Sequence, residues 1–258
     1  MSEISNRLEF AKFLALDAGE ILLEHFGKRI DGNMKSEREV VTEADLRSEE
    51  FILKAIDEKF GEPVLSEEFN PETTSDGALW IVDPLDGTNN FAMGFPFFAV
   101  IIAFAVGGKT QLGVIYEPIR GELFWTDGES AFLGDERIFV SETARLGDCM
   151  CATGFPYLRE TGRHSNLEKF VRAAMSVRGI RRAGSAGLDL AYTAAGRFDF
   201  YWEPGLKPWD IAAGELLVRC AGGRTSDLSG DRWELGVGEI FAANQKIYNK
   251  ALTIISSG

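Results

Sequence analysis

The sequence predicts an α/β protein whose first half, residues 1–140, has α+β character. Between residues 97 and 140, apolar runs separated by tight turns indicate an antiparallel meander, and from residue 141 onward strand and helix patterns alternate. No repeat, low-complexity segment or Pro/Ser-rich linker separates the halves 1–140 and 141–258. We therefore expect one domain, 1–258, with a functional site between the halves.

The first helix and the second are predicted from spacing and caps. Apolar residues recur at helical intervals over residues 4–26, and Gly27 ends the pattern. Thr42 is a suitable N-cap for a second amphipathic helix that ends near Gly61. The polar stretch between the two helices, residues 29–39, is expected to be a mobile loop.

Short apolar runs follow these helices. Residues 63–66 and 79–82 each end abruptly in carboxylates, as buried strands that end at a site do. The meander comprises the runs 97–106, 111–117 and 122–126. In the second half we expect strands and helices in alternation, at 150–154 (strand), 166–176 (helix), after 184–185 (helix), 198–202 (strand) and 209–220 (helix).

The composition restricts the class of partner. The 258 residues include 27 Lys and Arg against 40 Asp and Glu, for a net charge of −13. This charge repels nucleic-acid phosphates and anionic lipid surfaces, so we expect neither a nucleic-acid nor a membrane partner. An acidic chain that acts on an anionic substrate needs bound cations to reverse the local field, which directs attention to metal ligands.

Neither a secretory signal nor a membrane span is predicted. The first residues lack a basic segment followed by an apolar one, and the longest apolar run, 97–106, is well short of the ~20 residues that cross a bilayer. We expect a cytoplasmic protein whose three cysteines are reduced.

The sharpest local feature is the segment DPLDGT, which follows the strand predicted at 79–82. Asp83 and Asp86, three residues apart, could each reach one of two neighbouring Mg²⁺ ions, which prefer oxygen ligands. A helix beginning at Gly87 or Thr88 would add free N–H groups, a suitable seat for a phosphate. The alternative is that Asp-Pro and Asp-Gly only form a turn between a strand and a helix.

Three further acids stand at the ends of predicted elements. Glu67 and Glu68 follow the strand at 63–66, and Asp210 opens the last predicted helix. Each has an ordinary alternative, because the glutamates could be solvated and Asp210 could complement a helix dipole. Separate acids at strand ends and helix starts are nevertheless what a two-metal cluster requires.

Asp45 has two competing interpretations. The segment Thr42 to Asp45 fits a capping box, in which Asp45 accepts a hydrogen bond from the Thr42 N–H. Alternatively, Asp45 is the partner of Thr88, forming a hydroxyl–carboxylate pair that could orient or deprotonate water. The two roles cannot use the same carboxylate oxygen.

Several other features carry weaker signals. Glu203 follows an aromatic run and could bind the hydroxyls of a polyol if it lies near the acidic cluster. The segment 184–187 resembles a phosphate cradle only weakly, and close packing at a helix start explains it as well. The motifs of serine hydrolases, P-loop NTPases and zincins do not occur in the sequence.

Together these segments resemble the inositol monophosphatase family of Mg²⁺-dependent, lithium-sensitive phosphatases, over nearly the whole chain. The resemblance is carried by VTEAD at 41–45, SEE at 66–68, WIVDPLDGTNNF at 80–91, GSA at 184–186 and PWDIAAG at 208–214. It implies a five-layered αβαβα sandwich like that of the inositol monophosphatase and fructose-1,6-bisphosphatase fold, assembled as a homodimer. The polar loop with Lys35 resembles the family's mobile loop.

The resemblance also implies a role for each matching residue. Two or three Mg²⁺ ions would be held by Glu67, Asp83, Asp86, Asp210 and the Leu85 carbonyl. Water would be activated by Asp45 and Thr88 with help from Glu68. The phosphate would be held by the Gly87 and Thr88 N–H groups, and the alcohol side of the substrate by Asp86, Ala186, Glu203 and Asp210.

The function so implied is that of a phosphomonoesterase in which a metal-activated water attacks a small polyol phosphate, with inositol 1-phosphate as first choice. Histidinol phosphate, fructose 1,6-bisphosphate and 3′-phosphoadenosine 5′-phosphate are the alternatives within the superfamily. A different class of alternative is a metal-loaded binding or regulatory protein whose hydrolysis is incidental.

Overall fold

The structure is a computed structural model that describes residues 3–28, 33–34, 40–156 and 166–256. Apart from a two-residue strand, the loop predicted over 29–39, with Lys35, lies outside the described residues. The helices are α1 (Glu3–His25), α2 (Glu43–Phe60), α3 (Thr88–Ala92), α4 (Leu167–Ala174), α5 (Ala186–Ala194), α6 (Pro208–Cys220) and α7 (Tyr248–Ser256).

Strands occur in both halves of the chain. They are β1 (Asn33–Met34), β2 (Val40–Val41), β3 (Val64–Ser66), β4 (Ala78–Asp86), β5 (Ala99–Val106), β6 (Lys109–Glu117), β7 (Glu122–Thr126), β8 (Ala131–Leu133), β9 (Glu136–Arg137), β10 (Met150–Thr153), β11 (Gly179–Arg181), β12 (Phe200–Pro204), β13 (Arg224–Ser226) and β14 (Glu239–Ala243).

The first half forms a seven-stranded sheet in the order β3-β4-β5-β6-β7-β8-β9. Its strands pair antiparallel from β4 to β9, which confirms the predicted meander, and only β3 runs parallel to its neighbour β4. The strand predicted at 122–126 has the bounds of β7. Turns of two to four residues connect β5 through β9, and such short connections favour antiparallel pairing of each strand with the next.

The second half forms a five-stranded sheet in the order β11-β10-β12-β14-β13. β10 runs parallel to β11 and β12, whereas β14 runs antiparallel to β12 and β13. The sequence analysis predicts no element after residue 220, but the structure adds β13, β14 and α7 there. These elements are short and their apolar runs lack a distinctive period, so pattern alone does not identify them.

The helices and sheets alternate in five layers. α1 and α2 pack on the outer face of the seven-stranded sheet, α5 and α6 lie between the two sheets, and α4 and α7 cover the other face of the five-stranded sheet. The layers enclose three apolar cores. Trp80 lies in the core between α1, α2 and the seven-stranded sheet, Leu190 in the core around α5 and α6 between the two sheets, and Phe241 in the core between the five-stranded sheet and α4 and α7. This order confirms the predicted αβαβα architecture.

One strand boundary differs from the prediction and matters for the site. β4 continues through Asp86 instead of ending at Val82, and its pairing with β5 shifts register between Asp83 and Asp86. The irregularity is a β-bulge around Pro84, which has no N–H to donate to the ladder. The bulge holds the two aspartates within the strand β4, where a turn stiffened by Pro84 was predicted.

None of the described helices is long and apolar enough to cross a membrane. Cys149, Cys151 and Cys220 are all free thiols, as predicted.

Candidate active site

Three carboxylates from distant parts of the chain converge at one place. Asp83 and Asp86 come from the β4 bulge, and Asp210 comes from the first turn of α6 between the two sheets. One carboxylate oxygen of each lies within 4.8 Å of the others. A strand end from the first half and a helix start from the second half therefore meet, as the sequence predicts for these three residues.

The electrostatics of this cluster are unfavourable without a cation. Asp83 is 1% exposed, and burial followed by the charges of Glu67, Asp86 and Asp210 raises the pKa of its carboxyl well above the usual range. Burial also raises the pKa of Asp86 to about 6 and that of Asp210 well above its usual value. Crowded, buried oxygen donors of one charge are the ligand set that a hard divalent cation such as Mg²⁺ requires, so these residues fit the metal that the resemblance implies.

The segment 184–187 orients one of these carboxylates. Asp86 Oδ2 accepts hydrogen bonds from the Ser185 hydroxyl, at 2.6 Å, and from the Gly187 N–H, at 2.8 Å. Ser185 is at the same time the N-cap of α5. The Gly187 N–H therefore serves Asp86, and the weakly predicted phosphate cradle is a carboxylate clamp in this structure.

Asp210 has both of the roles that the sequence left open, one at the start of a helix and one in the acidic cluster. Its Oδ2 accepts a hydrogen bond from the Lys207 N–H at 2.7 Å, so it caps the start of α6. Its carboxylate is also a member of the three-acid cluster. The hydrogen bond of the cap fixes the orientation of the Asp210 side chain. A carboxylate that accepts this bond with one oxygen can present its other oxygen to the three-acid cluster.

Asp45 likewise has both predicted contacts, one on each oxygen. Oδ2 accepts hydrogen bonds from the N–H and the hydroxyl of Thr42, completing the capping box of α2. Oδ1 accepts a hydrogen bond from the Thr88 hydroxyl at 3.0 Å. Asp45 is fully buried, and burial raises the pKa of its carboxyl despite these hydrogen bonds.

Thr88 stands beside a second acceptor, since its Oγ1 also lies 2.9 Å from the Leu85 carbonyl oxygen. The single hydroxyl proton can be donated to only one of the two acceptors at a time. The Leu85 carbonyl and the Thr88 hydroxyl therefore face the same space beside the bulge of β4.

Gly87 makes the turn between β4 and α3 possible. Its φ of 92° lies in the left-handed region, and an added Cβ would lie 3.0 Å from the Phe97 carbonyl oxygen. Both the backbone conformation and the lack of space favour glycine. Gly87 is the N-cap of α3 and Thr88 its first residue, so their N–H groups have no helical partner.

The paired glutamates lie in the loop after β3. Glu67 is half-buried and directly follows Ser66, which pairs with Val82 next to Asp83, and the charge of Glu67 raises the pKa of Asp83 and of Asp210. Glu68 is half-buried next to it. Their backbone is anchored by Glu49 of α2, which accepts hydrogen bonds from the N–H groups of Glu68 and Phe69.

Glu203, on β12, lies on the other side of the site. Tyr201, two residues earlier on the same face of the strand, donates its hydroxyl to Glu203 Oε2 at 2.6 Å. The carboxylate rests against Gly154, where any Cβ would collide with it. Burial raises the pKa of Glu203 to about 7, and the charge of Asp86 contributes in the same direction.

The sequence analysis missed two residues of this region and gave Ser185 no role of its own. The role of Ser185 as an N-cap could have been inferred from its position before a predicted helix. Asp189 is a buried acid of α5 whose Oδ1 has no hydrogen-bond partner among the residues that the structure describes, and its position between two leucines in an apolar helix was a signal. The sequence signal for Glu49 was weaker: it lies four residues after Asp45, on the same helix face.

Known proteins share this fold and these segments. The sequence profile described as the inositol monophosphatase family matches residues 3–257. The chain is 41% identical to a protein of Mesorhizobium japonicum named inositol-1-monophosphatase, over 93% of this chain and 92% of that protein. It is 38% identical to a protein of Pasteurella multocida named Nus factor SuhB, over 96% and 95% of the two chains. A solved structure of inositol monophosphatase from Anabaena (Nostoc) is similar with a TM-score of 0.89 at 34% identity, covering 98% of this chain and 96% of that one.

Proposed function

The chain belongs to the inositol monophosphatase family, and on that premise we propose that it is a Mg²⁺-dependent phosphomonoesterase with inositol 1-phosphate as its first substrate. The observation that carries the proposal is the cluster of Asp83, Asp86 and Asp210. Lithium sensitivity and a homodimeric assembly belong to the same proposal.

The acidic cluster is the metal site in this proposal. Two or three Mg²⁺ ions would be held by the carboxylates of Glu67, Asp83, Asp86 and Asp210 and by the Leu85 carbonyl. When bound, they neutralise the phosphate and make water more acidic. The protein contributes a rigid strand bulge and a capped helix start, which keep the ligands in place before any ion arrives.

The Thr88–Asp45 pair accepts the proton of the attacking water. The Thr88 hydroxyl donates to Asp45 Oδ1, which leaves its lone pairs facing the Leu85 carbonyl side of the site. As water gives its proton to Thr88 Oγ1, Thr88 passes its own proton to Asp45. The raised pKa of Asp45 makes that carboxylate a better base than an exposed aspartate. Glu68 helps to orient the water.

The substrate lies between the two halves in this proposal. The N–H groups of Gly87 and Thr88, at the start of α3, donate to the phosphate. Asp86, Ala186, Glu203 and Asp210 surround the alcohol part of the substrate. Glu203 is suited to hydroxyl groups or an ammonium group, because a carboxylate accepts hydrogen bonds and repels a second phosphate.

A panel of substrates tests the proposed reaction. We expect the purified protein with Mg²⁺ to release phosphate from inositol 1-phosphate or histidinol phosphate faster than from fructose 1,6-bisphosphate or 3′-phosphoadenosine 5′-phosphate. Excess EDTA should stop the reaction. Equal rates in EDTA, or no phosphate from any of the four esters, would contradict the proposal.

Substitution of Glu203 tests the alcohol subsite. We expect Glu203→Gln to lose roughly tenfold to a hundredfold in kcat/KM on the monophosphates, since a charged hydrogen bond contributes about 1.5–3 kcal/mol. The kcat/KM for the two bisphosphate substrates should fall less, so the ratio of kcat/KM for the monophosphates to that for the bisphosphates becomes smaller. Glu239→Gln, at a half-buried glutamate on the neighbouring strand β14, is the matched control.

Glu203 should also make the substrate selectivity of the wild type depend on pH. With a pKa of about 7, Glu203 gains its charge as the pH rises from 6 to 8. The ratio of kcat/KM for histidinol phosphate to that for inositol 1-phosphate should therefore rise more over this range in the wild type than in Glu203→Gln, where only the imidazole of the substrate titrates. Identical selectivity of the two proteins at every pH would place substrate discrimination elsewhere.

A binding or regulatory role is the second candidate. Its support is the name of the relative from Pasteurella multocida, Nus factor SuhB. Such a role would act through the acidic surface or a subunit interface, and hydrolysis would be incidental. A catalytically inactive Asp83→Asn chain that restores the phenotype of a strain lacking the protein would favour this candidate.

A further inference from the structure

Helix α2 buries three polar side chains where an amphipathic helix normally buries apolar ones. Asp45, Ser48 and Glu49 are each 0% exposed and lie on one face of the helix at positions i, i+3 and i+4. Burial of polar groups is unfavourable unless they are hydrogen-bonded, so each of the three needs a partner.

Each of the three bonds to a different segment of the candidate active site. Asp45 accepts a hydrogen bond from Thr88, and the Ser48 hydroxyl donates to the Pro84 carbonyl oxygen at 3.0 Å. The Glu49 carboxylate accepts from two consecutive backbone N–H groups, those of Glu68 at 3.0 Å and Phe69 at 2.7 Å. One helix face thus contacts the β4 bulge, the start of α3 and the loop after β3.

The Glu49 contact is the strongest of these anchors. Its two oxygens each accept one N–H, and within the described part of the chain no lysine or arginine forms an ion pair with it. These two hydrogen bonds are therefore what stabilises the buried charge, and charge-assisted bonds to backbone N–H groups are about twice as strong as neutral ones. The backbone at residues 68 and 69 is correspondingly fixed.

The loop needs such an anchor because its own charge works against its position. Glu67, directly before the anchored residues, follows the pairing of Ser66 with Val82 and so lies next to Asp83, which shares its sign of charge, as does Asp210. Before a cation binds, this repulsion favours movement of the loop away from the cluster. The Glu49 bonds oppose that movement and keep the loop ready for the ion.

We propose that Glu49 is a positioning residue that holds the loop of residues 67–69 against the acidic cluster and so sets the affinity of the protein for a divalent cation, an inference that rests on the proposed function. Glu49 itself touches neither substrate nor metal in this assignment. Its action goes through the backbone of its two partners.

Glu49→Gln is the sharpest variant. Glutamine keeps the size of the side chain but offers one acceptor oxygen, and its amide N–H₂ then faces the second backbone N–H. We expect the concentration of Mg²⁺ that gives half-maximal activity to rise about tenfold to a hundredfold, the range found for residues that orient metal ligands. The kcat at saturating Mg²⁺ should return close to the wild-type value. Glu50→Gln, at the adjacent exposed position of α2, should change neither quantity.

Two measurements do not depend on turnover. Calorimetric titration of the protein with Mg²⁺ should show the same loss of affinity in Glu49→Gln, and hydrogen exchange at the Glu68 and Phe69 amides should become faster in that variant alone. If the wild type binds Mg²⁺ but releases no phosphate, the proposed function fails while these two readouts still test Glu49. Glu49→Asp withdraws the carboxylate by one methylene group and should weaken Mg²⁺ binding in the same direction, which decides the case if Glu49→Gln does not fold.

Unchanged Mg²⁺ affinity in a folded Glu49 variant would overturn the assignment. So would a lower kcat at saturating Mg²⁺ with no change in the half-saturating concentration, because a positioning role acts on affinity. Hydrogen exchange at the Glu68 and Phe69 amides that remains as slow as in the wild type would also overturn the assignment, because Glu49 would then not be what holds this backbone in place.

Discussion

Asp83→Asn should reduce Mg²⁺-dependent phosphate release by about 10³-fold or more, while it stabilises the metal-free protein. The loss of activity follows from the loss of a charged metal ligand, a contribution of several kcal/mol. The gain in stability follows because Asp83 is buried among like charges that raise its pKa. Asparagine can still accept the Leu85 N–H, so local structure is kept. If relief of repulsion is worth about 1 kcal/mol, Tm rises by about 2–4 °C.

Opposite changes in activity and stability distinguish the loss of a metal ligand from a loss of activity caused by destabilisation of the fold. Phosphate release and thermal melts with and without Mg²⁺ measure both, and Mg²⁺ should raise the Tm of the wild type far more than that of Asp83→Asn. Asp76→Asn, at an exposed position, serves as the control for loss of a charge. A fully active Asp83→Asn enzyme, or one with a lower Tm in the absence of metal, would refute the proposed role of the cluster.

Asp45→Asn should lower kcat by about 10² to 10⁴, the usual contribution of a general base, with little change in Tm. The asparagine oxygen can accept the Thr42 N–H, but its N–H₂ then faces the Thr88 hydroxyl. Thr88 must accept from this amide and can no longer pass on its proton. Steady-state rates at saturating Mg²⁺ and thermal melts measure the two effects.

Thr42→Ala separates the cap from the chemistry. It removes the hydroxyl that caps α2, which costs about 1 kcal/mol of stability, and it leaves the contact between Asp45 and Thr88 in place. We expect a lower Tm and most of the wild-type kcat. If Asp45→Asn behaved in the same way, losing stability without losing rate, Asp45 would be a cap only.

The local patterns of the sequence determined the elements and the identity of the central acids. Thr42 and Gly61 mark α2 almost to the residue, because capping depends on side chains a few positions apart. The strands of the meander follow from alternating apolar runs and short turns. A spacing of three residues singled out Asp83 and Asp86, and the place of Asp210 at the start of a predicted helix singled out the third acid.

Only the tertiary structure decided how these acids are held. The bulge that keeps Asp83 and Asp86 on β4 arises from pairing with β5, and the hydrogen bond of Asp45 to Thr88 joins residues 43 positions apart. Glu49 looks like a surface residue in sequence because its partners, two backbone N–H groups, carry no side-chain signature. A helical period shows which face of α2 is turned inward, but the groups that meet that face come from other parts of the chain, and their positions depend on the packing of the whole fold.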